Sequence, residues 1–169
     1  MASKADSLFP LTRAYLTEYG KSVKDEIKTR LTNSGKEASG KLHKSIRFTT
    51  KETDDEFVVT FYMEDYGVYV DRGVKGTGEN AKRAVNTIGD FSFKKSHTGT
   101  GKFLKSLKEW CKIKEIDPKY AYAIRRSIWT HGLRPTNFFT LPTTRRQKQF
   151  EKKIEQLMAK DIENNLTNL

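Results

Sequence analysis

"HGLRPTNFFTLP", residues 131–142, decides how the second half of this chain is read. It holds two prolines, a glycine and two adjacent phenylalanines, and a cationic helix pattern lies on each side of it. Gly132 is a natural helix stop. Pro135 disfavours helix at Arg134, and Pro142 precedes the next helix pattern. An extended backbone between them sends Phe138 and Phe139 to opposite faces. One can then anchor the core while the other meets a helix or a neighbouring subunit. The stretch contains no nucleophile–base pair. It reads as framework, an extended link or an added strand between the last two helices.

Upstream, "IDPKYAYAIRRSIWTHG" (116–132) predicts a helix with Asp117 as its N-cap and Pro118 at its first position. Its apolar stripe is Tyr120, Ile124 and Ile128. Residues 102–115 predict another helix through Phe103, Leu104, Leu107, Trp110 and Cys111. Downstream, Thr143 or Thr144 caps a last helix with Phe150, Ile154, Leu157, Met158 and Ile162 on one side. At the other end of the chain, Tyr15, Leu16, Tyr19, Val23, Ile27 and Leu31 predict a helix over 11–32, which Gly20 weakens. A glycine-bearing loop spans 33–41. Residues 42–51 alternate, with Leu42, Ile46 and Phe48 on one face, and 56–64 alternate more strongly. These two runs predict a hairpin turning at 54–55.

"DYGVYVDRGVKGTG" (65–78) is aromatic and aliphatic up to Val70, then breaks at Gly73, Gly76 and Gly78. Long structureless loops are uncommon inside a compact domain. Residues 74–101 therefore read as a Gly-bounded arm that orders against a neighbour, with "IGDFSF" (88–93) as a short docking element. The sum is one α+β domain over 1–169: a small antiparallel or mixed sheet packed by several helices, with a long arm and a C-terminal helix.

The 169 residues carry a net charge of +11. The excess sits late: +2 over 1–40, −2 over 41–80, +6 over 81–120 and +5 over 121–169. Such a dipolar chain attracts nucleic acid or an acidic partner, including copies of itself head to tail. Cys111 is the single cysteine, so no intramolecular disulfide forms. No apolar run is long enough to span a membrane, and the N-terminus lacks the apolar core of a signal peptide.

Searches for chemistry mostly fail. "SHTGTGKF" (96–103) lacks the first glycine and the final Ser or Thr of a phosphate loop. "GVKGTG" (73–78) reverses the dinucleotide spacing and reads as a flexible loop. Glu64, Asp65 and Asp71 suggest a metal nuclease, but Asp71 and Lys75 straddle a glycine break, and a solvated strand end is the better reading. His43, His97 and His131 stand far apart, without metal-motif spacing. Cys111, on an apolar helix side, reads as an inert core thiol. No pattern calls for a cofactor. The basic clusters, with aromatics between them, support a nucleic-acid-binding module as the rival reading. A helix-turn-helix through 103–132 has too long a linker.

Three segments, in order, resemble the tail-completion or head–tail joining (neck) proteins of tailed bacteriophages. Gly40, Lys41, Leu42, Ser45 and Ile46 match a "G-(K/R)-L-x-x-S-I" start. Tyr66, Tyr69, Val70, Asp71 and Gly73 match "Y-x-x-(Y/F)-V-(D/E)-x-G". Gly132, Leu133, Phe138, Phe139 and Pro142 match "G-(I/L)-x-(A/R)-x-x-F-(F/L)-x-x-(P/A)", with Arg134 one position ahead of the pattern's Ala or Arg, and Arg134-Pro135 stands two residues ahead of the phenylalanines instead of adjoining them. The resemblance spans roughly residues 10–165. It implies a non-enzymatic virion protein, without metal or cofactor, forming a homo-oligomeric ring between portal and tail that lets DNA pass. Its partners would be itself and the portal or adaptor and tail proteins, with non-specific DNA contact. Its place would be the virion neck or tail, and the host cytoplasm during assembly. On this reading Tyr66, Tyr69, Asp71, Lys75, Phe91, Phe93 and Phe139 are expected at subunit interfaces. Lys94, Lys95, Lys102, Lys105, Arg125, Arg126, Arg145 and Arg146 are expected to face DNA or an acidic partner.

Overall fold

The computed structural model describes residues 8–36, 39–53, 56–78, 91–93 and 101–167. Its elements run α1 (Pro10–Asn33), α2 (Lys41–Ser45), β1 (Arg47–Glu52), β2 (Phe57–Tyr62), α3 (Gly67–Arg72), β3 (Val74–Lys75), α4 (Lys102–Ile113), a 3-10 turn (Pro118–Tyr120), α5 (Ala121–His131), β4 (Gly132–Leu133) and α6 (Thr140–Thr167). This is the expected α+β class, dominated by helix.

α1 buries Leu16, Val23, Ile27 and Leu31 against the β1–β2 hairpin and α6. The hairpin is antiparallel, pairing Arg47 with Tyr62 through Glu52 with Phe57. Its inner face puts the Phe48 ring on Gly20, where a Cβ would lie 2.3 Å from a ring carbon. Gly20 thus serves packing as well as weakening its helix. Leu42, Ile46 and Phe138 complete this core, with Tyr19, Phe61, Met63, Val70 and Phe139 at its edge.

A second core lies between α4 and α5: Leu107, Cys111 and Ala121, flanked by Leu104, Trp110, Ile116, Ile124 and Ile128. Cys111 is fully buried there, as its position on the apolar side required. Asp117 begins this helical run as expected, its side chain accepting from the Lys119 amide at 2.9 Å.

Several expectations need correction. The strand foreseen from residue 42 begins at Arg47, and Lys41–Ser45 is a short helix. Gly40 starts it at a left-handed φ of 69°, and the Leu42-to-Ile46 spacing of four suits one helical face as well as one strand face. The last helix starts at Thr140, ahead of Pro142. Proline is tolerated in a first turn, whose amides have no intrahelical acceptor. Tyr120 and Ile162, assigned to apolar stripes, are 53% and 48% exposed.

The segment 73–78 is not a flexible loop. β3 pairs antiparallel with β4, Val74 opposite Leu133 and Lys75 opposite Gly132. Gly73 (φ 77°) and Gly132 (φ 90°) let the two chains touch: a Cβ on either would fall within 2.5 Å of a carbonyl oxygen of the other strand. The next residues then cross the end of α5. The Thr77 amide donates to the Trp129 carbonyl and the Gly78 amide to that of Thr130, both at 3.0 Å. They satisfy acceptors that the helix end leaves open.

Candidate functional site

The stretch 131–142 is stitched along its length to residues 70–78. After β4, the Thr136 amide donates to the carbonyls of Val70 and Asp71, and the Asn137 amide donates to that of Asp71 at 3.0 Å. The Lys36 ammonium donates to the Arg134 carbonyl. Burial first, and the Arg134 charge second, hold the Lys36 pKa below the ordinary lysine value. Asn137, at φ 51°, then turns the chain so that Phe138 enters the core with no exposure. Phe139 stays partly exposed at its rim, edge-on to Phe61 at 6.3 Å between ring centres.

Asp71 holds this junction. Its side chain is buried, at 2% exposure. One oxygen accepts from the Phe139 amide at 2.8 Å and the Thr140 amide at 3.2 Å, and the other accepts from the Thr140 hydroxyl. Asp71 is therefore an N-terminal cap for α6 supplied from 69 residues away. Its two expected roles, subunit-interface contact and solvated strand end, are both corrected, because its oxygens are spent inside the subunit.

A shallow groove opens beside the junction. One part, about 370 Å³, lies among Tyr19, Val59, Phe61, Phe139, Gln147 and Phe150. The adjoining part, about 280 Å³, reaches Met63, Val68 and Arg72. Phe139, Thr143 and Thr144 line both. The groove is aromatic and open, and burial raises the pKa values of Tyr15 and Tyr19 near it. Its surface is largely apolar, and the Asp71 carboxylate that also lines the second part accepts from the start of α6.

The remaining expected interface residues form a separate patch. Tyr66 and Tyr69, one turn apart on the outside of α3, are 42% and 46% exposed. The Phe91 ring meets Tyr69 edge-on at 4.8 Å. The Lys75 amide donates to the Phe91 carbonyl, and the Phe93 amide donates to that of Lys75. The "FSF" end of the foreseen docking element (88–93) thus docks on its own subunit, as a parallel bridge to β3. Residues 79–90 and 94–100 of the arm, including Lys94 and Lys95, lie outside the described residues.

The basic residues separate as well. Lys105 and Arg126 are exposed, Arg125 is half-buried and Arg145 is exposed. Lys102 begins α4. Arg146 is not a free contact. It bridges Glu26 at 2.7 Å and donates to the Ser22 hydroxyl at 2.7 Å, tying α6 to α1.

Three functional side chains of the framework were not foreseen. Asp161 is buried and accepts from the Leu11 and Thr12 amides and the Thr12 hydroxyl, capping α1. A charged residue inside the 150–162 apolar stripe was its signal. Thr140, two residues before Pro142, carried the chemistry of a helix start. Glu26 had half of one, since Arg30 stands one turn on along the same helix whereas Arg146 is remote in sequence.

For reaction chemistry, no group of three or more His, Cys, Asp or Glu among the described residues is placed to hold a metal ion. Ser127 and His131 adjoin on α5, but Nδ1 of His131 lies 3.0 Å from the Ser127 carbonyl, which can only accept. The Ser127 hydroxyl lies farther off, at 3.4 Å, so a proton on Nδ1 serves the shorter contact to the carbonyl. No described helix is long and apolar enough to cross a membrane. The chain matches no protein-family model, no curated protein and no solved structure.

Proposed function

We propose that this chain is a structural virion protein, a ring-forming neck or tail-completion subunit joining a phage head to its tail. The observation that carries the reading is convergence. The three segments of the resemblance lie far apart in sequence, yet they meet at one junction. Leu42 and Ile46 from the first, Val70 from the second, and Phe138 and Phe139 from the third share one core cluster. Asp71 of the second segment caps the helix that the third begins. The matched residues thus share one structural setting, which supports the reading.

The surface suits assembly. The β1–β2 hairpin has two strands, and among the described residues no further strand pairs with either edge. Sheet edges are places where a strand of another chain can add. The aromatic groove and the Tyr66–Tyr69–Phe91 patch are two different surfaces. A ring needs such a heterologous pair, with one patch meeting another on the next subunit. Among the described residues Asp71 and Asp161 cap helices, and the reading assigns no catalysis and no cofactor. The test is the assembly state of the purified chain: a closed oligomer that joins portal or tail protein supports the proposal, and a monomer that joins neither rejects it.

A further inference from the structure

The α4–α5 hairpin stands on its own small core and carries a charge imbalance that the fold does not use. Residues 101–131 hold eight Lys or Arg against three Asp or Glu. Asp117 is engaged by Lys119 at 2.9 Å, which leaves Glu109 and Glu115. Lys105, Lys108 and Lys112 recur at three and seven residues, so they share one face of α4 over about 10 Å of helix. That face borders α5, because the Lys108 ammonium sits 5.2 Å from the ring centre of Tyr122. Arg125 and Arg126 follow Tyr122 by one turn. Among the described residues, none of these five cations makes a salt bridge, whereas Arg30, Lys41 and Arg146 each have a carboxylate partner.

Holding like charges together costs free energy unless an anion offsets it. We infer that this face binds the phosphate backbone of duplex DNA without reading sequence. The exposed rings favour a duplex over a single strand. Tyr122 and Tyr120 are 59% and 53% exposed, but Lys108 and Lys119 already lie over them. The rings hold ammonium groups in place by cation–π attraction and are not open platforms for unstacked bases. A row of lysines with arginines beside it matches phosphates spaced along a strand, and nothing on this face is arranged to enter a groove. The inference stands independently of ring assembly, since a free subunit presents the same face.

The test is fluorescence anisotropy of the full chain with a short labelled duplex, titrated at several salt concentrations. Wild type is expected to bind at low salt and to weaken roughly 100-fold between about 50 and about 200 mM, the slope of about four phosphate contacts. Lys105→Gln, Lys108→Gln, Lys112→Gln and Arg126→Gln combined should lower that slope by about 3 to 4. The control removes as much charge from α6: Lys148→Gln, Lys152→Gln, Lys153→Gln and Lys160→Gln, all at exposed positions. It should change the slope by less than about 1. If the fourfold change disturbs α4, Lys105→Gln with Arg126→Gln should still give about half the drop. No binding at low salt, equal losses in the two fourfold variants, or tighter binding to a single strand of equal length would each overturn the inference.

Discussion

Asp71 shows how much one side chain decides here. It takes three donors from the start of α6, all inside the subunit. Asp71→Ala leaves two amides and a hydroxyl without their acceptor and should cost about 2–4 kcal/mol in urea denaturation. Asp71→Asn keeps a carbonyl acceptor for both amides and turns an amide donor to the Thr140 hydroxyl, which can accept it, but loses the charge at the helix start, so its cost should fall at about half that or less. Equal stability of all three proteins would refute the capping role. The neighbouring phenylalanines make the complementary case. Phe138 has no exposure and Phe139 lies at the groove rim, so Phe138→Ala should cost about 3–5 kcal/mol and Phe139→Ala about 1–2. Phe139→Ala, which strips the groove wall, should weaken self-association more than folding. Loss of folding from Phe139→Ala with Phe138→Ala tolerated would invert the assignment.

Among elements, the clasp between α1 and α6 is electrostatic as well as apolar. Glu26 meets Arg146 at 2.7 Å and Arg30 at 3.1 Å. Burial works to raise the Glu26 pKa, but the Arg30 hydrogen bond and the Arg146 charge outweigh it and hold the carboxyl below the ordinary glutamate value. A carboxyl depressed on folding stabilises the protein above its unfolded pKa, and that contribution disappears as pH falls through the folded one. Wild-type stability should therefore decline below about pH 4.5, starting at the ordinary glutamate range. Glu26→Gln should flatten that decline and cost about 1 kcal/mol or less at neutral pH, since the pair is partly solvated. A thermal melt series that shows the same slope in both proteins would discount the clasp. The helices themselves were legible in sequence because their apolar periods are long: α1 and α4 fall within two residues of expectation. α2 was not, since Leu42 and Ile46 satisfy both periods and only Gly40's left-handed turn separates them. The early start of α6 was hidden because its cap, Asp71, is remote in sequence.

At the scale of the molecule, two cores are joined through the β3–β4 ladder, the glycine-rich crossing of α5 and the 131–142 stretch. The framework reading of that stretch needed only its prolines, its glycine and its paired phenylalanines. The sequence could not reveal that Asp71 and Arg146 find their partners within the subunit, or that the "FSF" backbone pairs with β3, because charge and aromaticity do not say which partner is nearest. Outward among the described residues are the hairpin, the aromatic groove, the α3 tyrosines and the basic α4–α5 face. On the proposed reading these are the surfaces that assembly would cover. Mass measurement of the purified chain tests the proposal directly, alone across a range of concentrations and then mixed with the portal and tail proteins that the proposed reading requires in the same genome. The account predicts a closed oligomer of a single stoichiometry, formed alone or on mixing, that remains bound to one of those proteins. A chain that stays monomeric at every concentration and binds neither would contradict it.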